Sequence, residues 1–457
     1  MKTIVDQMAG YTCALRYEDL PGPVVHEVKR RVIDSLGCAL GAYSARPCRI
    51  AVKLAKSVKG SPGATILGTT LKTSPEMAAF ANGTMVRYLD YNDTYLSKEP
   101  AHPSDNIAAA LAVAEAQHAT GHDLITAIVV GYEVQCRLCD AASLRARGWD
   151  HVTYGAFSSA LVAARLLKLT PDQTRHALGL AGVANVALRQ TRVGELSMWK
   201  ASAFANAARN GIFAALLARE GMSGPAPIFE GEKGFLRLVS GHFELGPLAG
   251  RNGAFKILDT YIKFYPAEYH AQSAIDAVLG LRSRIPIKEI TSVQVKTFDA
   301  AVEIIGSGPE KWRPKTRETA DHSLPYCVAV ALMDGEVGMT QFSDRRIADL
   351  RLHRLMEKIR VVADPWLNNQ YPAAMPNLVE ITLKDGKKYT QQVDYPRGHP
   401  KNPMTDAEVE GKFSSLSRSF LAPKSIQRVL DRLWDLEKMK DTTEILPLFS
   451  SIQRRLA

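Results

Sequence analysis

Cysteine is scarce in this chain: there are six in 457 residues, and Cys136 and Cys139 are the one closely spaced pair. Such usage excludes a disulfide-stapled scaffold and fits reduced thiols. The pair falls late in an apolar helical stretch with no second pair and no His cluster, which argues against structural zinc. Cys13, Cys38, Cys48 and Cys327 have no spacing that would hold an iron–sulfur cluster. Long apolar runs are also missing. The best candidate, Leu124 to Val134, is interrupted by Thr126, Gly131 and Tyr132 and falls short of the ~18 residues of a membrane helix. HExxH, Walker A, GxGxxG and GxSxG patterns are absent, so the common metalloprotease, nucleotide and serine-hydrolase chemistries have no foothold. The first ten residues contain no apolar core and carry Asp6, so no leader peptide is expected and a cytoplasmic location is.

What is present is an ordinary globular composition, 46% hydrophobic and 23% charged. Lys plus Arg number 57 against 47 Asp plus Glu, a net charge of +10. A positive field favours anionic partners, whether nucleic acid or a small polyanion. The basic residues are spread along the chain and mixed with acids, and form no stripe with aromatics. The first half reads as successive helices: apolar residues recur at helical spacing from Pro23, and Ser74-Pro75-Glu76 and Thr170-Pro171-Asp172-Gln173 mark helix starts. Asp123 reads as the start of a further helix, and Lys200–Glu220 as a long, Ala-rich one. After about residue 260 the texture changes. Residues 292–297 alternate with period two, 359–362 form a short apolar run, and strands at 378–383 and 388–393 flank Asp385-Gly386, a hairpin signal. From Thr405 the pattern is helical again to Arg455. The fold class expected is mainly α with an α+β insertion: a helical domain from residues 1–262 and 399–457, and a smaller α+β lid domain from 263–398.

Five segments carry candidate chemistry. Asp90-Tyr-Asn-Asp-Thr94 with Ala101-His-Pro-Ser-Asp105 is a connection between two helices that must expose or satisfy three carboxylates, a hydroxyl and the His102 imidazole. Capping accounts for part of it, with Ser104 or Asp105 reading as an N-cap. His151 stands just before a helix in Gly148-Trp-Asp-His151. Arg189, Arg192 and Lys200 cluster ahead of another helix, where a cation opposes the helix dipole unless an anionic ligand occupies that end. Lys263-Phe-Tyr-Pro-Ala-Glu268-Tyr-His270 lies where the helical part gives way to the α+β part. Asp321-His322-Ser323 opens a helix and reads equally well as a cap.

Taken together and in order, these motifs resemble the MmgE/PrpD family along almost the whole chain. Leu89-Asp-Tyr-Asn-Asp-Thr94, His102-Pro-Ser-Asp105, Gly131-Tyr-Glu133, Gly148-Trp-Asp-His-Val152, Lys200, Phe229-Glu-Gly231, Lys263-Phe-Tyr-Pro-Ala-Glu268 and Asp321-His-Ser-Leu-Pro325 carry the likeness. The resemblance implies a helical domain with a smaller lid, a cleft between them, a homodimer, and an iron-independent 2-methylcitrate dehydratase or a cis-aconitate decarboxylase. It places Asp90, Thr94, His102, Lys200 and Lys263 in the active site, without metal or cofactor. The decarboxylase branch carries His where this chain has Glu268, and His-Pro-Pro where it has Trp149-Asp-His-Val; both departures favour dehydration. Dehydrating a citrate-like acid needs one group to take an α-proton, one to protonate the leaving hydroxyl, and cations for the enediolate-like charge. Asp90, His102, Lys200 and Lys263 are the expected catalytic residues, with acid and base unassigned. Thr94, His151, Arg189, Arg192, Glu268, His270 and His322 are expected to bind a small anionic carboxylate, with neither nucleic acid nor membrane as partner. Decarboxylation or epimerisation of a related polycarboxylate is the alternative, and from another class, a basic helical nucleic-acid-binding protein.

Overall fold

The computed structural model describes residues 3–250 and 254–452. It is mainly helical with one small mixed sheet, and its contacts divide it into two units. One comprises residues up to Arg192, Met198–Thr260 and from Thr405 onward; the other comprises Val193–Ser197 and Tyr261–Met404.

The first unit contains helices α1 (Ile4–Ala14), α2 (Gly22–Gly41), α3 (Arg46–Lys56), α4 (Pro75–Tyr88), α5 (Asn106–Ala116), α6 (Gly121–Ala141), α7 (Val152–Leu166), α8 (Pro171–Ala184) and α9 (Trp199–Arg219). Capping boxes set several starts. Thr170 and Gln173 cap α8 reciprocally, as their spacing suggests. The start expected at Asp123 lies two residues earlier, because Thr120 is the N-cap and Asp123 is the acid that bonds back to it. The core is built around α9, which packs on α4, α7 and α8. Small residues make that approach possible: a Cβ at Gly211 would stand 2.8 Å from the Ala156 carbonyl oxygen, and one at Gly155 would enter the Phe204 ring at 2.4 Å. Here backbone packs against backbone or ring, so even Ala at either position would force its neighbours to shift. A two-residue ribbon, Ala64–Thr65 with Lys72–Thr73, has no counterpart in the sequence reading.

The second unit opens with α10 (Gln272–Arg282), followed by β1 (Ile290–Thr297), α11 (Leu324–Asp334), α12 (Leu350–Met356), β2 (Ile359–Ala363), β3 (Asn377–Leu383) and β4 (Lys388–Val393). The sheet order is β2-β1-β3-β4, with β1 and β2 parallel and the other pairs antiparallel. Alternate residues of β3 are buried, the face on which α10 packs. Gly386 takes φ +82° in the β3–β4 turn, as the Asp-Gly pair requires. The helical stretch expected over 344–356 is broken: one short turn, Asp344–Ile347, ends at Ala348, and Asp349 caps α12.

The chain closes with α13 (Asp406–Ser417), started by the Thr405–Glu408 capping box, and α14 (Pro423–Trp434). In the first unit α13 lies along α2, where Lys412 Nζ meets Asp34 at 2.6 Å. The continuous helix expected to Arg455 instead gives way to 3-10 turns after α14, and Arg455 lies outside the described residues.

Candidate active site

The loop from Asp90 to Asp105 is polar in sequence yet almost wholly inside the first unit. Asp90 is 1% exposed and Asp93 and Asn92 are fully buried, so these side chains face the protein interior rather than water. Asp90 takes a left-handed conformation, φ +51°, which Asp tolerates better than most residues. That turn brings its carboxylate onto Arg87, in the last turn of α4. Arg87 Nη2 also donates to His102 Nε2 at 2.8 Å. A guanidinium has only donors, so Nε2 must accept and the ring proton sits on Nδ1, where it is given to the Asp93 carbonyl oxygen at 2.7 Å. The geometry thus fixes a neutral tautomer of His102.

The loop is braced from below. Asp93 accepts from the Ser104 N–H at 2.9 Å and the Tyr132 hydroxyl at 2.6 Å, while Asn92 Nδ2 donates to Ser104 Oγ at 2.9 Å and Asp105 Oδ1 at 2.8 Å. Asn106 ties the turn to α6 through Gln135 and to α7 through Ser158 and Ser159. Thr94 is buried, and its hydroxyl donates to the Ala101 carbonyl oxygen at 3.1 Å. It reaches a ligand only as an acceptor.

His151 joins this cluster, its ring centroid 5.8 Å from that of His102. Its Nδ1 lies 3.0 Å from Asp150, and its Nε2 is buried with no hydrogen-bond partner among the described residues. Burial outweighs Asp150 and, with Arg192, Arg87 and Arg189, lowers the imidazole to about 3, so it is neutral at ordinary pH. Burial works to raise Asp150, but Arg192, His151 and Arg189 hold it at about 2. Arg192 Nε donates to Asp150 at 2.9 Å, and its Nη2 is a buried donor without a partner among the described residues. Arg189 is lowered chiefly by burial. Lys200 is 2% exposed and stands in the first turn of α9 rather than ahead of it; that helix packs against the Arg189–Arg192 turn.

The second unit holds a cluster of its own. Glu268 accepts from the His270 N–H and Nδ1, both at 2.8 Å, and its own N–H donates to the Asp321 carbonyl oxygen. Burial works to raise the carboxyl, but His270, His322 and Lys263 bring it down to about 2. His322 Nδ1 is 2.6 Å from Asp321, and Ser323, not His322, supplies the cap of α11. Lys263 is 1% exposed. His270 Nε2 is buried with no partner among the described residues.

The structure therefore gathers Asp90, His102, His151, Arg189 and Arg192 into one network, with Thr94 and Lys200 on its supporting elements. Lys263, Glu268, His270 and His322 form the other. Sequence reasoning missed Arg87, whose only signal is its place three residues before Asp90 at a helix end. It also gave Asp105 to capping, and the structure corrects this: Asp105 occupies the N-cap position of α5 but its side chain makes no cap hydrogen bond. Burial instead drives that carboxyl up to about 7. The Cys136 and Cys139 thiols are buried in α6 and raised by that burial.

Comparison with known proteins adds an independent line. Models described as the MmgE/PrpD N-terminal domain and the MmgE/PrpD C-terminal domain match residues 6–248 and 265–436. A 2-methylcitrate dehydratase from Cupriavidus necator is 31% identical, covering 93% of this chain and 92% of that protein. One from Escherichia coli K12 is 29% identical over 92% and 91%. An alkylcitrate dehydratase from a fungal species is 29% identical over 88% and 85%.

Proposed function

The chain belongs to the MmgE/PrpD family, and from that premise we propose that it is a metal-independent hydro-lyase that eliminates water from 2-methylcitrate. The observation that carries the reading is the buried, partly unpartnered polar network around His102. Arg192 Nη2 and His151 Nε2 are both buried without a hydrogen-bond partner among the described residues, and buried polar atoms left so call for a partner, which a bound substrate can supply. A donor and an acceptor there suit a substrate carrying carboxylates and a hydroxyl.

In this reading Asp90 and His102 handle the two protons of the elimination. Both touch Arg87, so a proton gained or lost by one is felt by the other. Arg192, Arg189 and Lys200 neutralise the carboxylates and the charge that gathers on the enediolate-like transition state, a stabilisation worth more in a buried site than in water. Thr94 accepts from the substrate, and His151 accepts from its hydroxyl. Lys263 is a further cation in this proposal, and Glu268, His270 and His322 are its substrate-binding residues. Incubating the purified protein with 2-methylcitrate and following the product mass tests the reading: loss of one water supports it, and loss of carbon dioxide supports decarboxylation instead.

The protein works as a homodimer in the cytoplasm in this proposal. Val183 on α8 and Phe213 on α9 are more than half exposed, as is Leu188 just beyond α8; exposed apolar side chains on neighbouring helices suit a self-interface. None of the described helices is long and apolar enough to cross a membrane.

A further inference from the structure

We propose that Asp105 is a positioning residue: holding its proton, it leaves the Arg87 guanidinium committed to Asp90 and His102, and losing that proton draws the guanidinium away from both. The inference rests on the hydro-lyase reading above and concerns a residue with no part in it.

The geometry is one-sided. Asp105 is 3% exposed, and its Oδ1 accepts from Asn92 Nδ2 at 2.8 Å. Its Oδ2 has no hydrogen-bond partner among the described residues. Arg87 Nε stands 3.8 Å from that oxygen, outside hydrogen-bond range. The other two nitrogens of the same guanidinium hold Asp90 and His102. The charged groups that reach Asp105 are Arg87 from α4, Asp93 from the loop and Arg192 from the 189–192 turn. Burial first, and then Asp93, favours the neutral acid, while Arg87, Arg192 and the Asn92 hydrogen bond favour the anion. The balance falls at about 7, so the group changes charge near neutral pH.

The two forms ask different things of Arg87. A neutral Asp105 leaves one guanidinium facing one carboxylate, Asp90. An anionic Asp105 makes two carboxylates compete for it, and closing 3.8 Å to an ordinary hydrogen bond moves the guanidinium by roughly 1 Å. A displacement of about that size in a positioning group costs on the order of 10²-fold in rate. Asp105 touches neither proton; it acts through Arg87.

The test is the pH profile of kcat/KM for 2-methylcitrate dehydration by the full-length protein. Wild-type activity is expected to fall above about pH 7 as Asp105 ionises. Asp105→Asn, permanently neutral and able to keep the Asn92 contact, should match wild type near pH 6. Near pH 8.5 it should be roughly tenfold or more faster than wild type, because the limb is gone. Asn92→Ala removes a bond that favours the anion, so its limb should move to higher pH; this variant decides the question if Asp105→Asn does not fold. A merely structural Asp105 predicts an Asn variant scaled by one factor at all pH values. A limb that stays near pH 7 in Asp105→Asn, or does not move in Asn92→Ala, overturns the proposal. Wild-type turnover at pH 6 carries the hydro-lyase reading separately, and its absence overturns both.

Discussion

Arg87 and His102 meet through guanidinium Nη2 and imidazole Nε2 at 2.8 Å, and the same guanidinium holds Asp90. One cation thus fixes the tautomer of the proposed base or acid and the position of its partner. Asp90→Asn and His102→Gln should each lower kcat by roughly 10²-fold or more, the usual contribution of a positioned acid or base. Arg87→Lys should fall in the same range, since an ammonium cannot span two acceptors as a planar fork does. Because Asp90 and Arg87 are buried and His102 is half-buried, the substitutions should also lower the melting temperature. Calorimetry beside steady-state kinetics separates the two effects, and wild-type turnover in folded variants would place the chemistry elsewhere.

Much of this was legible in the sequence, and what was not has physical causes. Period-two alternation at β3 and the Asp385-Gly386 turn identified the hairpin, and Thr-x-x-acid or Thr-x-x-Gln spacings placed α8 and α13, because those signals are local. The status of the 90–105 loop was not legible: Asp90, Asn92 and Asp93 look like a solvated connection, yet Arg87 at the end of α4 holds Asp90, and Tyr132 of α6, distant in sequence, holds Asp93. Asp105 misled for the same reason. Its place before α5 matches a cap, whereas the Asn92 hydrogen bond holds its carboxylate inside the loop. The resemblance named Asp90 and His102 but not the cation between them.

Lys200 and Lys263 should behave as substrate-facing cations and not as solvated lysines, since both are almost fully buried. Lys→Met at either position removes a charge-assisted contact of about 1.5–3 kcal/mol, which is roughly 10- to 150-fold in kcat/KM. Lys→Arg should be impaired too, because the fork does not fit where a compact ammonium sat. The loss should be larger for tricarboxylate than for dicarboxylate substrates. Near-wild-type rates on both would exclude the role.

Acid should destabilise the protein in a way His151 makes specific. Its folded value is about 3 against 6.5 for the free side chain, so the unfolded state takes up a proton first, and stability falls as pH drops from about 6.5 towards 3. At pH 5 the loss is about 2 kcal/mol from this residue. Glu268, lowered from 4.5 to about 2, adds a loss that begins as pH falls through about 4.5. Denaturant melts at pH 7 and 5 should show a smaller drop for His151→Gln than for wild type; an equal drop would mean His151 is not held neutral.

The most direct measurement is mass analysis of products after chelator-treated protein meets 2-methylcitrate. The account predicts an unsaturated tricarboxylate lighter by one water, formed at an undiminished rate in EDTA and after aerobic storage. Loss of carbon dioxide, an unchanged mass, or activity restored only by added metal would contradict it.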